Sequence, residues 1–188
     1  MVDHIKQLFG WTHHQSNEEL EALRSPTPID LDKFVGKWYD IESVPTIYDK
    51  DCTDKQAIYT LDASKGLLKI QNSCVASDHK LWKANGTAKE KPPGSGQLVV
   101  NFNTFYGHLP TMNSSVNLCV LQALSTPSAE YYQYAMLGSP DLKGLWFMSR
   151  GPQPLPPPIR TMFVERATAL GFDVAKLEQI THARPRGG

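Results

Sequence analysis

The chain has 188 residues, with 19 basic and 19 acidic side chains and no net charge when histidine is neutral. That length is enough for one domain with its own hydrophobic core, and the lack of a basic excess argues against nucleic-acid binding. No apolar run approaches the ~20 residues that a membrane-spanning helix needs.

The first fifteen residues fit two structures. They form either a mobile or packed N-terminal arm, or a short amphipathic helix for a membrane or partner, with one apolar face made of Val2, Ile5, Leu8 and Phe9. The start lacks the continuous apolar segment and small-residue cleavage site of a signal peptide. We therefore expect a protein that is cytoplasmic or peripheral to a membrane, unless the chain is a mature secreted form given a new Met.

The next segment predicts a capped helix and a linker. Ser16 begins the stretch SNEELEALR, with Glu19 at the capping-box position. The SPTP sequence at residues 25–28 ends this helix and makes a stiff connection. We assign residues 1–29 to a partly helical extension, residues 30–181 to the main domain and residues 182–188 to a flexible tail.

The rest of the chain is organised around residues 31–44, LDKFVGKWYDIESV. A short helical turn precedes Gly36, which allows a sharp change of backbone direction. A strand then follows, but its alternation is imperfect because Trp38 shares a face with Asp40 and Glu42. This pattern predicts a bend or a barrel corner, where the strand changes the surface it covers.

After this stretch the sequence predicts short strands joined by turns, without a helix between them. The predicted strands are residues 37–43, 56–61, 67–74, 84–89, 97–102, 116–124, 131–137 and 145–149. Eight such strands are typical of an antiparallel barrel or sandwich, and an eight-stranded up-and-down barrel encloses room for one small ligand. The loop at residues 103–113 would form an apolar rim suited to a membrane or lipid surface, through Phe105, Tyr106 and Leu109.

The end of the chain breaks the strand pattern. Residues 152–158 are rich in proline and predict an extended spacer. A helix is predicted next, and it ends at Gly171. Its apolar residues recur at helical spacing: Ile159, Met162, Phe163, Ala167 and Leu170. Residues 177–181 would form one last short strand beside the barrel.

Three cysteines exclude a fully paired set within one chain. Cys52 and Cys74 lie at similar distances on either side of a predicted hairpin turn, so a disulfide between them and two reduced thiols both fit. Cys119 lies in an apolar strand, where it would pack as a small hydrophobe or face a barrel interior.

Two distant motifs carry a resemblance. Gly36 and Trp38 near the start, together with Arg150 at the end of LWFMSR, resemble the lipocalin family. KWYDIESVPT, KQAIYTL, YYQYAMLG and GFDVAKL are similar to the subgroup of apolipoprotein D, the bacterial outer-membrane lipocalins and the temperature-induced lipocalins. The resemblance implies an all-β fold, an eight-stranded antiparallel up-and-down barrel with a C-terminal α-helix packed outside. It also implies a stack of the Arg150 guanidinium on the Trp38 ring at the closed end.

The same resemblance implies a binding function without catalysis. Its ligand contacts fall on Tyr59, Asn72 and Trp146, although core packing would equally explain Tyr59 and Trp146, and a surface amide would explain Asn72. The implied ligand is a fatty acid, a lysophospholipid or a similar lipid. Two alternatives remain: a carrier of a pigment, retinoid, haem or steroid, and a lipid-modifying enzyme that uses an interior Cys119.

No cofactor or metal site is predicted. The histidines show no ligand spacing with cysteines or carboxylates on a predicted element, at His4, His13, His14, His79, His108 and His182. No Gly-x-Ser-x-Gly elbow and no P-loop occur. The expected partner is a small hydrophobic ligand, with no indication of oligomeric state.

Overall fold

The computed structural model describes residues 16–46, 51–103 and 116–183, and it confirms the predicted barrel. Eight antiparallel strands follow one another around the sheet, and β1 pairs with both β8 and β2, which closes it. The strands are β1 (Gly36–Ser43), β2 (Thr53–Asp62), β3 (Leu67–Val75), β4 (Leu81–Glu90), β5 (Gln97–Asn103), β6 (Leu118–Leu124), β7 (Tyr134–Gly138) and β8 (Leu145–Ser149). The apolar N-terminal face and the apolar loop, two of the predictions, lie outside the described residues.

Three helices accompany the barrel in the part of the chain that the structure describes: α1 (Asn17–Ala22), α2 (Leu31–Phe34) and α3 (Pro157–Ala169). Helix α1 has the predicted capping box, since the Glu19 N–H donates to Ser16 Oγ at 3.2 Å and the Ser16 N–H donates to Glu19 Oε2 at 2.8 Å. No helix within these described ranges is both long enough and apolar enough to cross a bilayer.

Helix α3 packs on the outside of the barrel. Phe163 has no exposed surface, and its ring lies edge-on to that of Phe147 on β8, with centroids 5.4 Å apart. On the same helix Arg160 donates two hydrogen bonds to the Glu42 carboxylate, at 2.8 and 2.9 Å. We call the buried residues between α3 and the barrel wall the outer cluster: Leu23, Ile41, Cys119, Leu121, Met136, Leu145, Phe147, Leu155, Phe163, Ala167 and Phe172.

Strand β1 changes the surface it covers, as its sequence predicts. The pairing of β1 with β8 shifts register between Asp40 and Glu42. Asp40 lies opposite Met148, which faces the barrel interior, whereas Glu42 lies opposite Phe147 of the outer cluster. The shift therefore places the two acids on opposite sides of the wall.

A disulfide joins the two strands of the first hairpin. Cys52, just before β2, is bonded to Cys74 near the end of β3, with their Cα atoms 5.7 Å apart. Of the two alternatives that the sequence leaves open, the structure has the bonded one.

The seam between β5 and β6 is narrow. Within the described ranges these strands pair only at Gln97 with Cys119 and at Leu98 with Leu118. Next to these pairs, the side chain of Asn117 pairs with the β5 main chain. Its Oδ1 accepts from the Val100 N–H and its Nδ2 donates to the Val100 carbonyl, both at 2.8 Å. This explains why β6 begins two residues later than predicted.

The last described residues form a strap along β1. A 3-10 turn (Val174–Lys176) precedes a short strand, β9 (Glu178–Gln179), which is shorter than predicted. β9 pairs with β1 through Glu42 and Ser43. We call residues 178–183 the C-terminal strap. It includes His182, assigned to a loose tail from the sequence, whose side chain is only 4% exposed.

Candidate functional site

The closed end of the barrel is built on Trp38, whose side chain has no exposed surface. The Arg150 guanidinium lies over this ring, 3.8 Å from its centroid, and Trp38 Nε1 donates to the Phe34 carbonyl at 2.8 Å. Burial lowers the pKa of Arg150 to about 10, so the side chain stays charged at neutral pH. The charge and the buried ring face therefore form a cation–π contact.

Arg150 also satisfies main-chain carbonyl groups from separate segments. Its Nε donates to Tyr132 O at 2.8 Å, Nη1 to Lys37 O at 2.9 Å and Nη2 to Lys33 O at 3.2 Å. A planar guanidinium can make these bonds while it stacks on Trp38, whereas a lysine ammonium cannot. The side chain thus ties α2, β1 and the segment before β7 together.

Gly36 makes room for this arrangement. Its φ is +96°, and a Cβ built there would lie 3.2 Å from Arg150 Nη1. Gly66, in the turn after β2, also has positive φ (+59°), but a Cβ there would meet nothing within 4 Å. A side chain at either position would therefore be strained by the positive φ, but only a side chain at Gly36 would also meet Arg150.

We expect Gly36→Ala to lower the free energy of unfolding by about 2 kcal/mol and Gly66→Ala by about 1 kcal/mol. The first substitution adds a clash with Arg150 to the strain that both create. Urea denaturation of the two variants measures the difference. Equal losses would mean that the contact with Arg150 has no energetic weight.

Above the closed end, the barrel holds a second group of buried residues, which we call the interior cluster. It contains large side chains and a set of small ones: Ile29, Phe34, Trp38, Ala57, Tyr59, Leu68, Ile70, Ala88, Leu98, Val120, Ala123, Tyr132, Ala135, Leu137 and Met148. The bulky side chains concentrate around Trp38, and four buried alanines lie among them. The interior is thus apolar, with a filled floor.

Tyr59 belongs to that floor. Its ring lies edge-on to Phe34, with centroids 5.1 Å apart, and its side chain is buried. Burial, and secondarily the negative charge of Asp40, raise the pKa of Tyr59 above its usual range. The phenol therefore stays neutral at any physiological pH and can act as a hydrogen-bond donor within the barrel.

Asn72 and Trp146 lie higher on the wall, and both are only partly buried. Asn72 stands in the sheet between Ala57 and Ala84, and Ala57 belongs to the interior cluster. Its Oδ1 is buried without a hydrogen-bond partner among the described residues. Trp146 packs against the interior cluster. The side chains of all three residues predicted from the sequence thus lie on the inner side of the same barrel, and Tyr59 is the most deeply buried.

The interior also contains polar residues that the sequence reasoning did not assign to the site. Asp40 and Lys55 are each 6% exposed, and Ser43 has no exposed surface. Asp40 lies opposite Met148 and Ser43 opposite Trp146, whereas Lys55 alternates in step with Ala57. Alternation from Trp38 would have found Asp40. The register shift in β1 hides Ser43, because it reverses the faces beyond it.

Two grooves on the outside of the protein are separate from these contacts. One, of about 290 Å³, lies between α1 and the turn before β5, and the other, of about 420 Å³, crosses the outer faces of β2, β3 and β4. Neither is lined by Tyr59, Asn72 or Trp146.

The idea of a nucleophilic cysteine inside the barrel is wrong for Cys119. This side chain belongs to the outer cluster, under α3, and has no exposed surface. Burial raises the pKa of its thiol to about 12, which keeps it protonated and unreactive. Cys119 therefore packs as a small hydrophobe.

The native, oxidised protein should show no reactive thiol toward a thiol reagent at pH 8, because Cys119 is buried and the other two cysteines are bonded. After denaturation one thiol per chain should appear. Absorbance from a chromogenic disulfide reagent measures both values. A full equivalent released within minutes from the folded protein would contradict the packing role.

Within residues 16–46, 51–103 and 116–183, no three side chains of His, Cys, Asp or Glu come together as a possible metal site. His182 Nδ1 lies 3.7 Å from Asp54 Oδ1, and its Nε2 lies 2.7 Å from the Asp40 carbonyl. The contacts of His182 therefore hold the C-terminal strap against β1 and β2.

Comparison with known proteins agrees with this geometry. The model of the lipocalin-like domain matches residues 29–182. The chain is 27% identical to temperature-induced lipocalin-1 of Arabidopsis thaliana over 86% of this chain and 82% of that one. It is 24% identical to the outer membrane lipoprotein Blc of Vibrio cholerae (84% and 85% covered) and 26% identical to mouse apolipoprotein D (94% and 92%).

Solved structures show the same fold at lower identity. Lobster apocrustacyanin A1 superposes with a TM-score of 0.59 at 18% identity, with 81% of this chain and 79% of that one covered. Insecticyanin from the tobacco hornworm Manduca sexta superposes with a TM-score of 0.59 at 16% identity, covering 85% and 84%.

Proposed function

Because the chain belongs to the lipocalin family, whose members bind small hydrophobic ligands, we propose that its barrel binds one fatty acid, lysophospholipid or similar lipid without transforming it. The observation that carries the proposal is the wall above the filled floor. Asn72 and Trp146 lie there opposite Ala57 and Leu137 of the interior cluster, and both are only partly buried.

Burial of an acyl chain would supply the affinity. Removing apolar surface from water is worth about 25 cal/mol per Å², so a few hundred Å² give several kcal/mol before the cost of ordering the ligand. Inward-facing Asn72 and Tyr59 could hydrogen-bond a polar group and so orient the lipid. The floor at Trp38 limits how deep the chain can reach.

Two of the similar proteins, Blc and apolipoprotein D, have names that link them to lipoproteins, which favours a lipid over a pigment. Binding without catalysis accords with the family, whose members generally bind or transport, and with the inert environment of Cys119.

The proposal is tested by native mass spectrometry of the purified protein, followed by solvent extraction. A stoichiometric acyl lipid would support it and name the ligand. A coloured or tetrapyrrole adduct would point instead to a pigment carrier. An empty barrel that also fails to take up a fluorescent fatty acid would refute lipid binding.

Replacing Trp146 with alanine should weaken fatty-acid binding about tenfold, because roughly 1.4 kcal/mol of contact with the acyl chain is lost. Ile58→Ala is the matched control, since Ile58 lies in the outer groove and is 40% exposed. Fluorescence titration of both variants measures the ratio. Equal affinity in Trp146→Ala and the parent protein would exclude Trp146 from the site.

A further inference from the structure

The β2–β3 hairpin depends on a covalent bond at the end of the barrel away from Trp38, which we call the rim. The regular pairing of the hairpin ends at Gln56, where the register shifts, and the described residues add one further pair, Thr53 with Val75. Cys52 and Cys74 lie next to that pair and are bonded. The disulfide is thus the strongest link across the hairpin beyond the shift.

Asp54, two residues after Cys52, hydrogen-bonds to the C-terminal strap. Asp54 lies within the register shift at φ +51°, a conformation that L side chains rarely adopt. Its N–H donates to the Thr181 carbonyl at 2.8 Å, and its Oδ1 accepts from the Ala183 N–H at 2.6 Å. Both bonds depend on the conformation of Asp54, which its neighbours must maintain.

The strap also contacts β1 directly. The Ile180 N–H donates to the Ile41 carbonyl at 2.9 Å, and the His182 ring lies edge-on to Tyr39, with centroids 5.4 Å apart. These contacts do not involve β2. His182 Nε2 also lies 2.7 Å from the Asp40 carbonyl, so loss of the Asp54 bonds would leave His182 on β1 and free the main chain at Thr181 and Ala183 from β2.

We propose that the Cys52–Cys74 disulfide is a redox-sensitive clamp. Its reduction by a dithiol releases residues 181–183 from Asp54 while the barrel and α3 stay folded. The clamp is independent of any ligand, since each contact that it uses lies within the chain.

The chemistry is ordinary thiol–disulfide exchange. A thiolate of the dithiol attacks one sulfur of the bond, a mixed disulfide forms, and the other cysteine leaves as a thiolate. The second thiol of the reagent then attacks the mixed disulfide and releases the remaining cysteine as a thiolate. The reagent becomes a cyclic disulfide, and the protein disulfide takes up two electrons in total. Cys74 is partly exposed to such a reagent, whereas buried Cys119 is too poor a nucleophile to exchange with the bond.

Amide hydrogen exchange, followed residue by residue by NMR, tests the clamp in oxidised and dithiol-treated protein. On reduction, exchange at Asp54 and Ala183 should accelerate at least tenfold, while Ile180 changes less and α3 not at all. Asp54→Ala in oxidised protein should accelerate Ala183 in the same way. Asp62→Ala, at the opposite end of β2, is the matched control and should leave the strap unchanged.

Alkylation and mass measurement verify that both cysteines were reduced. Unchanged exchange at Asp54 and Ala183 in fully reduced protein would overturn the proposal. So would loss of protection throughout α3, because the disulfide would then support the whole fold and not the strap.

Discussion

Replacing Trp38 with alanine should lower the free energy of unfolding by about 3 to 5 kcal/mol, the usual range for removing a buried tryptophan. The ring has no exposed surface, and its removal leaves a cavity at the floor of the barrel. It also leaves the Arg150 guanidinium without the ring on which it lies at 3.8 Å. Urea denaturation followed by circular dichroism gives the value.

Trp38→Phe separates packing from polar contacts. Phenylalanine keeps an aromatic face for Arg150 but loses the hydrogen bond from Nε1 to the Phe34 carbonyl, so a loss of about 1 to 2 kcal/mol is expected. A loss well under 1 kcal/mol for Trp38→Ala would contradict its place as the centre of the closed end.

Phe163→Ala should cost a similar amount, about 3 to 5 kcal/mol, for a different reason. Phe163 has no exposed surface and joins α3 to the barrel through Phe147. Truncation opens a cavity in the outer cluster, and the helix has few other buried side chains with which to compensate, since only Ala167 is also buried.

Met162→Ala is the matched control for Phe163, because it removes a large side chain from the same helix at a position that is 41% exposed. The control should stay within about 0.5 kcal/mol of the parent protein. Denaturation curves of the two variants are compared directly. Similar losses in both would mean that α3 is stabilised along its length and not by Phe163.

The closed end of the barrel could be predicted from the sequence through the family resemblance that Gly36, Trp38 and Arg150 carry together, since a tryptophan near a glycine is not specific by itself. The structure brings these three residues into contact. Helix α3 could also be predicted, because Phe163 and Ala167 recur at helical spacing. The structure shows that both are buried.

The side of the wall on which Cys119 lies could not be predicted. Strand β6 is apolar on both faces, because one covers the interior and the other lies under α3, so period-two alternation is lost. Ser43 was hidden by the register shift in β1. The two hydrogen bonds between Asp54 and the strap depend on the backbone conformation of this one residue, which no periodic pattern in the sequence can indicate.

The seam between β5 and β6 has fewer strand pairs than any other junction between neighbouring barrel strands that the structure describes. Two strand pairs and the Asn117 side-chain amide join it, together with main-chain bonds from the Asn117 N–H to the Leu98 carbonyl at 3.0 Å and from the Val120 N–H to the Gly96 carbonyl at 2.8 Å. A fluctuation that breaks these bonds would open the barrel along one line, while β1 still joins β2 to β8. We therefore expect local opening of the barrel wall to cost the least free energy at this seam.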